Sequence, residues 1–419
     1  MQSLKAAAHT LGCKVNKCDT DTILSKLRNI GFDIVSFNEE ANLYIINTCT
    51  VTHVSDKKSR QMIRRGRKLN QNAFVAVCGC MAANDPVLPI QIGADFVFDS
   101  RKNEVFFAKL HEIFPLTNNQ AKLSINDTSP VSTSRTRAFV KVQDGCDRFC
   151  SYCIIPYVRG SLKSRDFNEI LDEVKFNVKN GFKEIVLTGI QVASYGHDTK
   201  ISNLPKLLKH TANVNDLKRL RLSSIDPWAI DDEFLQVLKE EENICSHFHL
   251  SLQSGSNKTL KAMNRRYTTH EYKFAAQKIK NIRSNVALTT DIIVGFPGET
   301  DEDFNESLSF VREVQFADVH VFEYSVREGT KAAAFPNQVS PAIKAERNKQ
   351  MRELSSELKT NFLKAQVGKT IDVLFEKQNS GHSDNYCIVE TDTNENPINT
   401  IKKVKIIGNT TQLLKGKLI

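Results

Sequence analysis

The sequence predicts an α/β protein with three parts: a small α/β domain, a central partial (β/α)6 barrel and a small C-terminal β-barrel. Apolar runs of strand length alternate with segments of helix length over the first two parts, which is typical of parallel sheets. A polar stretch between those two parts indicates a linker. Short β-type runs separated by polar turns form the last part and favour a small barrel.

The first domain is expected over residues 1–120. It opens with the helix-like stretch DTDTILSKLRNIGF, and Gly31 is the expected end of that helix. The apolar runs NLYIINTC and AFVAVCGC follow, with the basic stretch SDKKSRQMIRRGRKL between them. Strand, helix and strand in this order predict a parallel sheet, and each of the two apolar runs ends in a cysteine.

The second domain is expected over residues 132–361, after a polar linker, NNQAKLSINDTSPVSTS, within residues 116–135. Its candidate strands are AFVKVQ, EIVLTG, RLRLSS, HFHLSLQ, ALTTDIIVGF and DVHVFEYS. Because segments of helix length separate these six runs, they predict the partial barrel. The third domain, residues 366–419, contains the β-type runs TIDVLFEK, NYCIVETD and KKVKIIGN.

The composition is that of an ordinary globular protein, with 40% hydrophobic and 25% charged residues and a net charge of +9. The N-terminus lacks the apolar run of a signal peptide, and no run approaches the roughly 18 residues that span a membrane. We therefore expect a cytoplasmic protein without a membrane partner. In a reducing compartment, its ten cysteines are expected to serve metal binding or catalysis rather than a disulfide framework.

Three cysteines, Cys146, Cys150 and Cys153, lie in the stretch DGCDRFCSYCIIP, directly after the first candidate strand of the barrel. This is a βα loop, the position at which such barrels carry their chemistry. Three thiolates can hold an iron–sulfur cluster and leave one iron open to another ligand. A zinc loop is the alternative, although zinc sites usually bring a second pair of cysteines or histidines.

This Cys-x-x-x-Cys-x-x-Cys spacing resembles the signature of the radical S-adenosylmethionine (SAM) superfamily. The resemblance implies that the three thiolates hold a 4Fe-4S cluster, that SAM binds the open iron, and that its reductive cleavage yields a 5′-deoxyadenosyl radical. It also implies SAM contacts in the cysteine loop and at the ends of later strands, from Tyr152, Thr188, Gly189, Ile190, Ser251, Gln253, Gly295 and Glu299.

A second group of cysteines, Cys13, Cys49 and Cys80, is spread through the first domain, each beside the end of an apolar run. Carboxyl ends of neighbouring parallel strands meet at one crevice, so three thiols there could hold a second cluster. The alternative is that these cysteines are buried as small hydrophobic residues. Spacing alone does not exclude Cys18 and Cys78 as ligands.

The stretches GCKVN, NTCTVT and CGCMA resemble the N-terminal domain of the methylthiotransferases. That resemblance covers essentially the whole chain, and the third domain is similar to the TRAM domain, a small RNA-binding β-barrel. It implies that Cys13, Cys49 and Cys80 hold a second 4Fe-4S cluster. It also implies two uses of SAM: one molecule methylates a sulfur at this cluster, and another generates the radical that attacks the substrate.

The stretches VTHVSDKKSRQMIRR, QDGCDRFCSYCIIPYVRG and FHLSLQSGSNKTLKAMNRRYT look most like the type that modifies N6-threonylcarbamoyladenosine at tRNA position 37. The product implied is the 2-methylthio derivative. Two sister activities remain as alternatives, on isopentenyladenosine in tRNA or on a ribosomal-protein aspartate. An alternative from another class is a zinc-stabilised RNA-binding protein without catalysis.

Basic residues independently favour an RNA partner, which the resemblance identifies as a tRNA anticodon stem-loop. Clustered cations neutralise phosphates and release counterions, and an aromatic residue beside them can stack on an unpaired base. The candidate RNA contacts are Lys57, Lys58, Arg60, Arg64, Arg65, Arg67, Arg265, Arg266 and Tyr267. The chemistry further implies an electron donor such as flavodoxin or ferredoxin, and a sulfur source.

Overall fold

The computed structural model describes residues 4–114, 136–393 and 395–419. The linker expected within residues 116–135 lies outside the described residues. The chain divides into two compact units. The first contains the N-terminal residues to 114 together with 144–147 and 153–161, and the second contains 136–143, 148–152 and the chain from 162 onwards.

A parallel sheet forms the centre of the first unit. Among its described residues, five strands pair in the order β2-β1-β3-β4-β5. The strands are β1 Leu4–Thr10, β2 Phe32–Val35, β3 Leu43–Thr48, β4 Phe74–Gly79 and β5 Phe96–Val97. The helices are α1 Lys14–Asn29, α2 His53–Leu69, α3 Cys80–Asn84, α4 Val87–Gln91, α5 Glu104–Ile113 and α6 Ile155–Arg159. The parallel sheet expected from the alternating pattern is confirmed.

Strand β3 shows why this domain reads as continuous apolar runs. Every residue of β3 is buried, because helices cover both faces of the sheet. Successive side chains point to opposite faces, so Ile45 packs with Leu43 and Ala76 on one face and Ile46 packs with Val77 on the other. Two separate hydrophobic cores therefore hold the sheet and fix the positions of its strand ends.

A partial barrel of largely parallel strands forms most of the second unit, as the sequence predicts. The strands are β6 Arg137–Asp144, β7 Lys163–Ser164, β8 Glu184–Gly189, β9 Arg219–Leu222, β10 His247–His249, β11 Ala287–Val294 and β12 Asp318–Glu323. They pair in the orders β7-β6-β8-β9 and β10-β11-β12. Parallel bridges Leu220↔Ile244 and Ile225↔Leu250 connect the two sheets. The helices are α7 Phe167–Lys179, α8 Leu204–Ala212, α9 Asp232–Glu240, α10 Asn257–Ala262, α11 Thr269–Ile282, α12 Asp301–Val314 and α13 Pro341–Lys364.

The C-terminal strands close into the expected small barrel, in the order β13-β14-β15-β17-β16. They are β13 Thr370–Lys377, β14 Ser380–Ser383, β15 Ile388–Thr391, β16 Ile401–Asn409 and β17 Leu414–Leu418. Buried Val373, Phe375 and Val404 fill the interior. Closure leaves no unpaired sheet edge, which allows a barrel of this size to be stable.

Buried arginines tie this barrel to the amino ends of the strands β8 and β9. Arg221 pairs with Glu184, with 2.6 Å between Nε and Oε1, and its Nη1 donates to the Asp384 carbonyl at 3.0 Å. Arg219 donates to the carbonyls of His382 and Asp372, at 2.9 and 2.7 Å. Because these cations are satisfied by both parts, the C-terminal barrel is fixed at the amino ends of the strands of the partial barrel. Among the described residues, no helix has the length and apolar character needed to span a membrane.

Candidate iron–sulfur centres

The first unit places Cys13, Cys49 and Cys80 at one edge of its sheet. Cys13 precedes α1 just after β1, Cys49 follows β3 directly, and Cys80 begins α3 where β4 ends. The strands β1, β3 and β4 are neighbours in the sheet. The carboxyl ends of neighbouring parallel strands form a crevice, so the three thiols share one location, as the sequence predicts.

The three thiols are close enough to influence one another. A Cβ atom built on Gly12, whose φ is +91°, would lie 2.9 Å from Cys49 Sγ, so this close approach requires glycine. Burial raises the pKa of Cys49, and the charge of Cys13 raises it further. Burial also raises the pKa of Cys80 to about 11, and negative charge on Cys13 and Cys49 acts in the same direction. Binding of iron would displace the protons of these thiols, because the thiolate is the form that ligates a metal.

Cys18 and Cys78, which spacing could not exclude, have different surroundings. Cys78 lies on β4 and packs in the hydrophobic core with Ile45 and Ala76. Burial holds the pKa of the Cys78 thiol well above its ordinary value. Cys18 is buried on α1. The position of Cys78 within the apolar core fits a structural thiol.

Arg159 in α6 reaches this group of cysteines, and sequence reasoning missed it. Its side chain is only 4% exposed, and its Nη1 donates to both carboxylate oxygens of Asp144, at 2.8 and 2.9 Å. Its Nη2 donates to Asn16 and, at 3.3 Å, to Asp19. The guanidinium also opposes the effect of burial on the pKa of Cys80. In the sequence, only the position of Arg159 in the stretch CSYCIIPYVRG, shortly after Cys153, points to this role.

The radical SAM-type loop is divided between the two units: Cys146 and Cys153 belong to the first, and Cys150 belongs to the second. In the first unit, the Cys146 amide donates to the Gly160 carbonyl at 3.0 Å. Gly145 has a φ of +68°, and a Cβ atom there would lie 1.9 Å from the Ser161 carbonyl oxygen. Only glycine therefore allows this turn before Cys146.

In the second unit, the segment around Cys150 is anchored by the chain that follows α10. Asn264 Nδ2 donates to the Phe149 carbonyl at 2.9 Å, where Phe149 has a φ of +48°. The Ser151 amide donates to the Met263 carbonyl at 3.0 Å. Arg265 Nη1 donates to Cys150 Sγ at 3.3 Å. These contacts hold both neighbours of Cys150 and the thiol itself.

The structure corrects the expected RNA contacts of Arg265 and Tyr267. Tyr267 is 7% exposed, and its hydroxyl donates to the carbonyls of Ser251 and Leu252, at 2.6 and 2.9 Å. Arg265 is buried, with its Nε donating to the Tyr267 hydroxyl at 2.9 Å and its Nη2 donating to Asp226. A base cannot stack on a ring packed in this way. Arg266, the next residue, is exposed.

The expected SAM contacts lie at the carboxyl ends of the barrel strands, the edge at which such barrels bind ligands. Thr188 and Gly189 end β8, and Ile190 follows them. Ser251 and Gln253 come just after β10, and Gly295 just after β11. Tyr152 packs against a cluster that includes Met263 and Phe296. The contacts of these residues with SAM stay a prediction.

Glu299 has its carboxylate turned towards the protein. Its Oε2 accepts from the Gly295 amide at 2.6 Å and from Arg347 Nη1 at 2.8 Å. Burial raises the pKa of Glu299, and these two donors oppose that effect. Gly295 has a φ of +69°, which favours glycine. Glu299 therefore shapes the glycine loop after β11.

The donor set fits iron–sulfur clusters, whose usual ligands are cysteine thiolates. Each group offers three cysteines that form no disulfide. Within the described ranges, no three Cys, His, Asp or Glu side chains converge on a point that could hold a single metal ion. In a 4Fe-4S cluster each thiolate binds a different iron, so the thiolates do not need to converge on one point.

The basic helix α2 presents cations to solvent. Lys57, Lys58, Arg60 and Arg64 are exposed, whereas Ser59, Ile63 and Gly66 on the other face are buried. The exposed residue Arg65 donates to Asn38 at 2.7 Å.

Arg67 on the same helix also makes structural contacts. It donates to the carbonyls of Gly93 at 3.2 Å and Ala73 at 2.9 Å, and it pairs with Asp95. These contacts tie the end of α2 to the sheet, and the expected RNA contact of Arg67 stays a prediction.

Two family profiles match this sequence. The Radical SAM superfamily matches residues 140–311, which include β6 and the cysteine loop. The Uncharacterized protein family UPF0004 matches residues 5–98, which carry the other three cysteines.

Curated relatives match nearly the whole chain. The threonylcarbamoyladenosine tRNA methylthiotransferase MtaB of Bacillus subtilis is 39% identical, over 96% of this chain and 93% of its own length. The tRNA-2-methylthio-N(6)-dimethylallyladenosine synthase of Clostridium tetani is 34% identical, over 97% of this chain and 95% of its own length.

A solved structure with a similar fold is the radical SAM methyltransferase TsrM of Kitasatospora setae, with cobalamin and a [4Fe-4S] cluster bound. The TM-score is 0.58 over 80% of this chain and 77% of that chain. At 14% identity, this likeness concerns the fold alone.

Proposed function

The chain belongs to the radical SAM tRNA methylthiotransferases, and from this premise we propose that it adds a methylthio group to carbon 2 of N6-threonylcarbamoyladenosine at tRNA position 37. The observation that carries the proposal is the 39% identity, over nearly the full length of both chains, to a curated enzyme named for this nucleoside. A second candidate substrate is dimethylallyladenosine, because a relative named for it is 34% identical over a similar length.

As a radical SAM protein, the chain takes one 4Fe-4S cluster and SAM. We assign Cys146, Cys150 and Cys153 as the ligands of that cluster. When bound, the cluster and SAM supply a radical able to take hydrogen from a carbon such as C2 of adenosine, whose C–H bond is beyond the reach of acid–base catalysis. The chain's own residues fix the loop: Gly145 permits its turn, and Asn264 holds the Phe149 carbonyl.

We further propose a second 4Fe-4S cluster on Cys13, Cys49 and Cys80, where the sulfur for transfer would bind. Three facts support it: the thiols share one sheet edge, their charges affect one another, and the cationic Arg159 offsets negative charge at Cys80. Cys80 also packs with Ile154 and Val158, and Ile154 directly follows Cys153. Ligands of both proposed clusters are thus carried by neighbouring segments of the first unit.

The anticodon stem-loop of tRNA is the partner that the exposed cations of α2 would bind, through phosphates. The C-terminal barrel, with Lys402, Lys403 and Lys405 on β16, would add a second basic surface. A one-electron donor such as flavodoxin or ferredoxin is required for SAM cleavage, and a sulfur source for the methylthio group. These partners and this substrate are consistent with a cytoplasmic location of the protein.

Mass spectrometry of nucleosides from a strain lacking this chain tests the substrate. We expect N6-threonylcarbamoyladenosine to accumulate without its 2-methylthio derivative, and complementation with the intact chain to restore that derivative. Loss of the 2-methylthio form of dimethylallyladenosine, with the threonylcarbamoyl derivative unchanged, would instead support the second candidate substrate.

A further inference from the structure

Three separate contacts fix the side chain of Arg265, and one of them is with Cys150. Its Nη1 lies 3.3 Å from Cys150 Sγ, its Nε lies 2.9 Å from the Tyr267 hydroxyl, and its Nη2 pairs with Asp226. The side chain is 8% exposed. An arginine held at every nitrogen position of its fork has little freedom to move to another partner.

The groups that hold Arg265 are themselves fixed. Asp226 also accepts from Trp228 Nε1 at 3.2 Å and from Gln191. Tyr267 donates to the carbonyl of Ser251 at 2.6 Å. The guanidinium is therefore oriented by groups that follow the carboxyl ends of β8, β9 and β10.

We propose that Arg265 is a positioning residue of the radical SAM cluster, which donates a hydrogen bond to the Cys150 thiolate and raises the reduction potential of the cluster. Hydrogen bonds to ligating sulfurs are among the factors that set the potential of an iron–sulfur cluster. The reduced cluster carries one more negative charge than the oxidised one. A donor with positive charge stabilises the reduced form more, so electron uptake becomes easier.

Two other roles for Arg265 are less consistent with its contacts. A phosphate of RNA would have to displace Asp226 from a buried ion pair, which is costly. Direct binding of the SAM carboxylate would require one of the nitrogens that now contact Cys150, Asp226 or Tyr267. Arg266, the adjacent residue, is exposed and gives a matched control because it has the same charge.

The test is an anaerobic redox titration of the cluster, followed by electron paramagnetic resonance, in the full chain. A background of Cys13→Ala, Cys49→Ala and Cys80→Ala isolates the radical SAM cluster. In this background we expect Arg265→Gln to shift the midpoint potential to a more negative value while iron content stays unchanged. Arg265→Lys should shift it less, and Arg266→Gln should leave it unchanged.

A second variant covers the case in which Arg265→Gln loses iron. Tyr267→Phe removes the acceptor that orients Nε but leaves the arginine charge in place, and we expect a smaller shift in the same direction. An unchanged potential in Arg265→Gln and Arg265→Lys would overturn the proposal. Weaker SAM binding at an unchanged potential would assign Arg265 to SAM instead. Because no tRNA is present, the result does not depend on the proposed substrate.

Discussion

Arg159 donates from one nitrogen to both carboxylate oxygens of Asp144, at 2.8 and 2.9 Å, in an ion pair whose side chains are 4% and 13% exposed. Asp144 ends the strand that leads to Cys146, and Arg159 ends the helix that follows Cys153. The pair therefore joins the start and the end of the cysteine loop. It does so beside Cys80, whose pKa is affected by the same guanidinium.

Removal of this arginine should destabilise the first unit. Arg159→Gln removes the cation from a mostly buried ion pair with Asp144, and breaking such a pair costs about 3 kcal/mol of unfolding free energy. Urea denaturation of the reconstituted protein measures the loss. Lys109→Gln, which breaks an exposed pair with Glu112, is the control and should cost less than about 1 kcal/mol. Equal small losses in both variants would contradict a structural role for the pair.

Separate cysteine variants should distinguish the functions of the two proposed clusters. Cys150→Ala should abolish formation of 5′-deoxyadenosine, because the radical SAM cluster loses a ligand. Cys49→Ala should keep SAM cleavage and lose methylthio transfer, with lower iron and sulfide content. Cys78→Ala, in the apolar core, is the control and should retain wild-type iron content. Wild-type iron and sulfide in Cys49→Ala would argue against a second cluster.

The exposed face of α2 should contribute to tRNA affinity through phosphates. Arg64→Gln should weaken binding of an anticodon stem-loop and reduce the slope of log K against log salt by roughly 0.7 to 0.9 for each lost phosphate contact. Fluorescence anisotropy over a salt series measures both. Lys109→Gln removes an exposed cation from α5 of the same domain and should change neither. Identical salt slopes in wild type and Arg64→Gln would remove α2 from the RNA surface.

The buried Cys245 thiol should make stability decrease at high pH. Burial raises its pKa to about 12 from an ordinary value of 9.0, although Arg221 acts in the opposite direction. The folded state therefore keeps the proton that the unfolded state releases. This contribution to stability is complete below about pH 9 and is lost progressively as the pH rises towards 12. Unfolding free energies over this range should fall less steeply in Cys245→Ala; parallel curves would count against the prediction.

The repeated strands and the shared sheet edge could be predicted because they depend on local pattern. A strand buried on both faces, such as β3, must be apolar throughout, and this is visible in the sequence. The meeting of Cys13, Cys49 and Cys80 follows from the rule that parallel strands end at the same edge.

The contacts of the arginines and Tyr267 could not be predicted, because they depend on tertiary structure. The stretch RRYT is typical of a basic surface with an aromatic residue. In the structure, however, Tyr267 is buried and its hydroxyl donates to the carbonyls of Ser251 and Leu252. Arg67 belongs to the same basic run as Arg64, but only its position over Ala73 and Gly93 makes it structural. Charge patterns in the sequence identify candidate RNA contacts, whereas burial in the structure separates structural arginines from exposed ones.

The most direct test of the central claim is product analysis with purified protein reconstituted with iron and sulfide, SAM, a reductant and a defined anticodon stem-loop. Mass spectrometry of the digested RNA should reveal 2-methylthio-N6-threonylcarbamoyladenosine when the loop carries threonylcarbamoyladenosine, and no product when it carries dimethylallyladenosine. Conversion of the dimethylallyl substrate alone, or cleavage of SAM with neither nucleoside modified, would contradict the assignment.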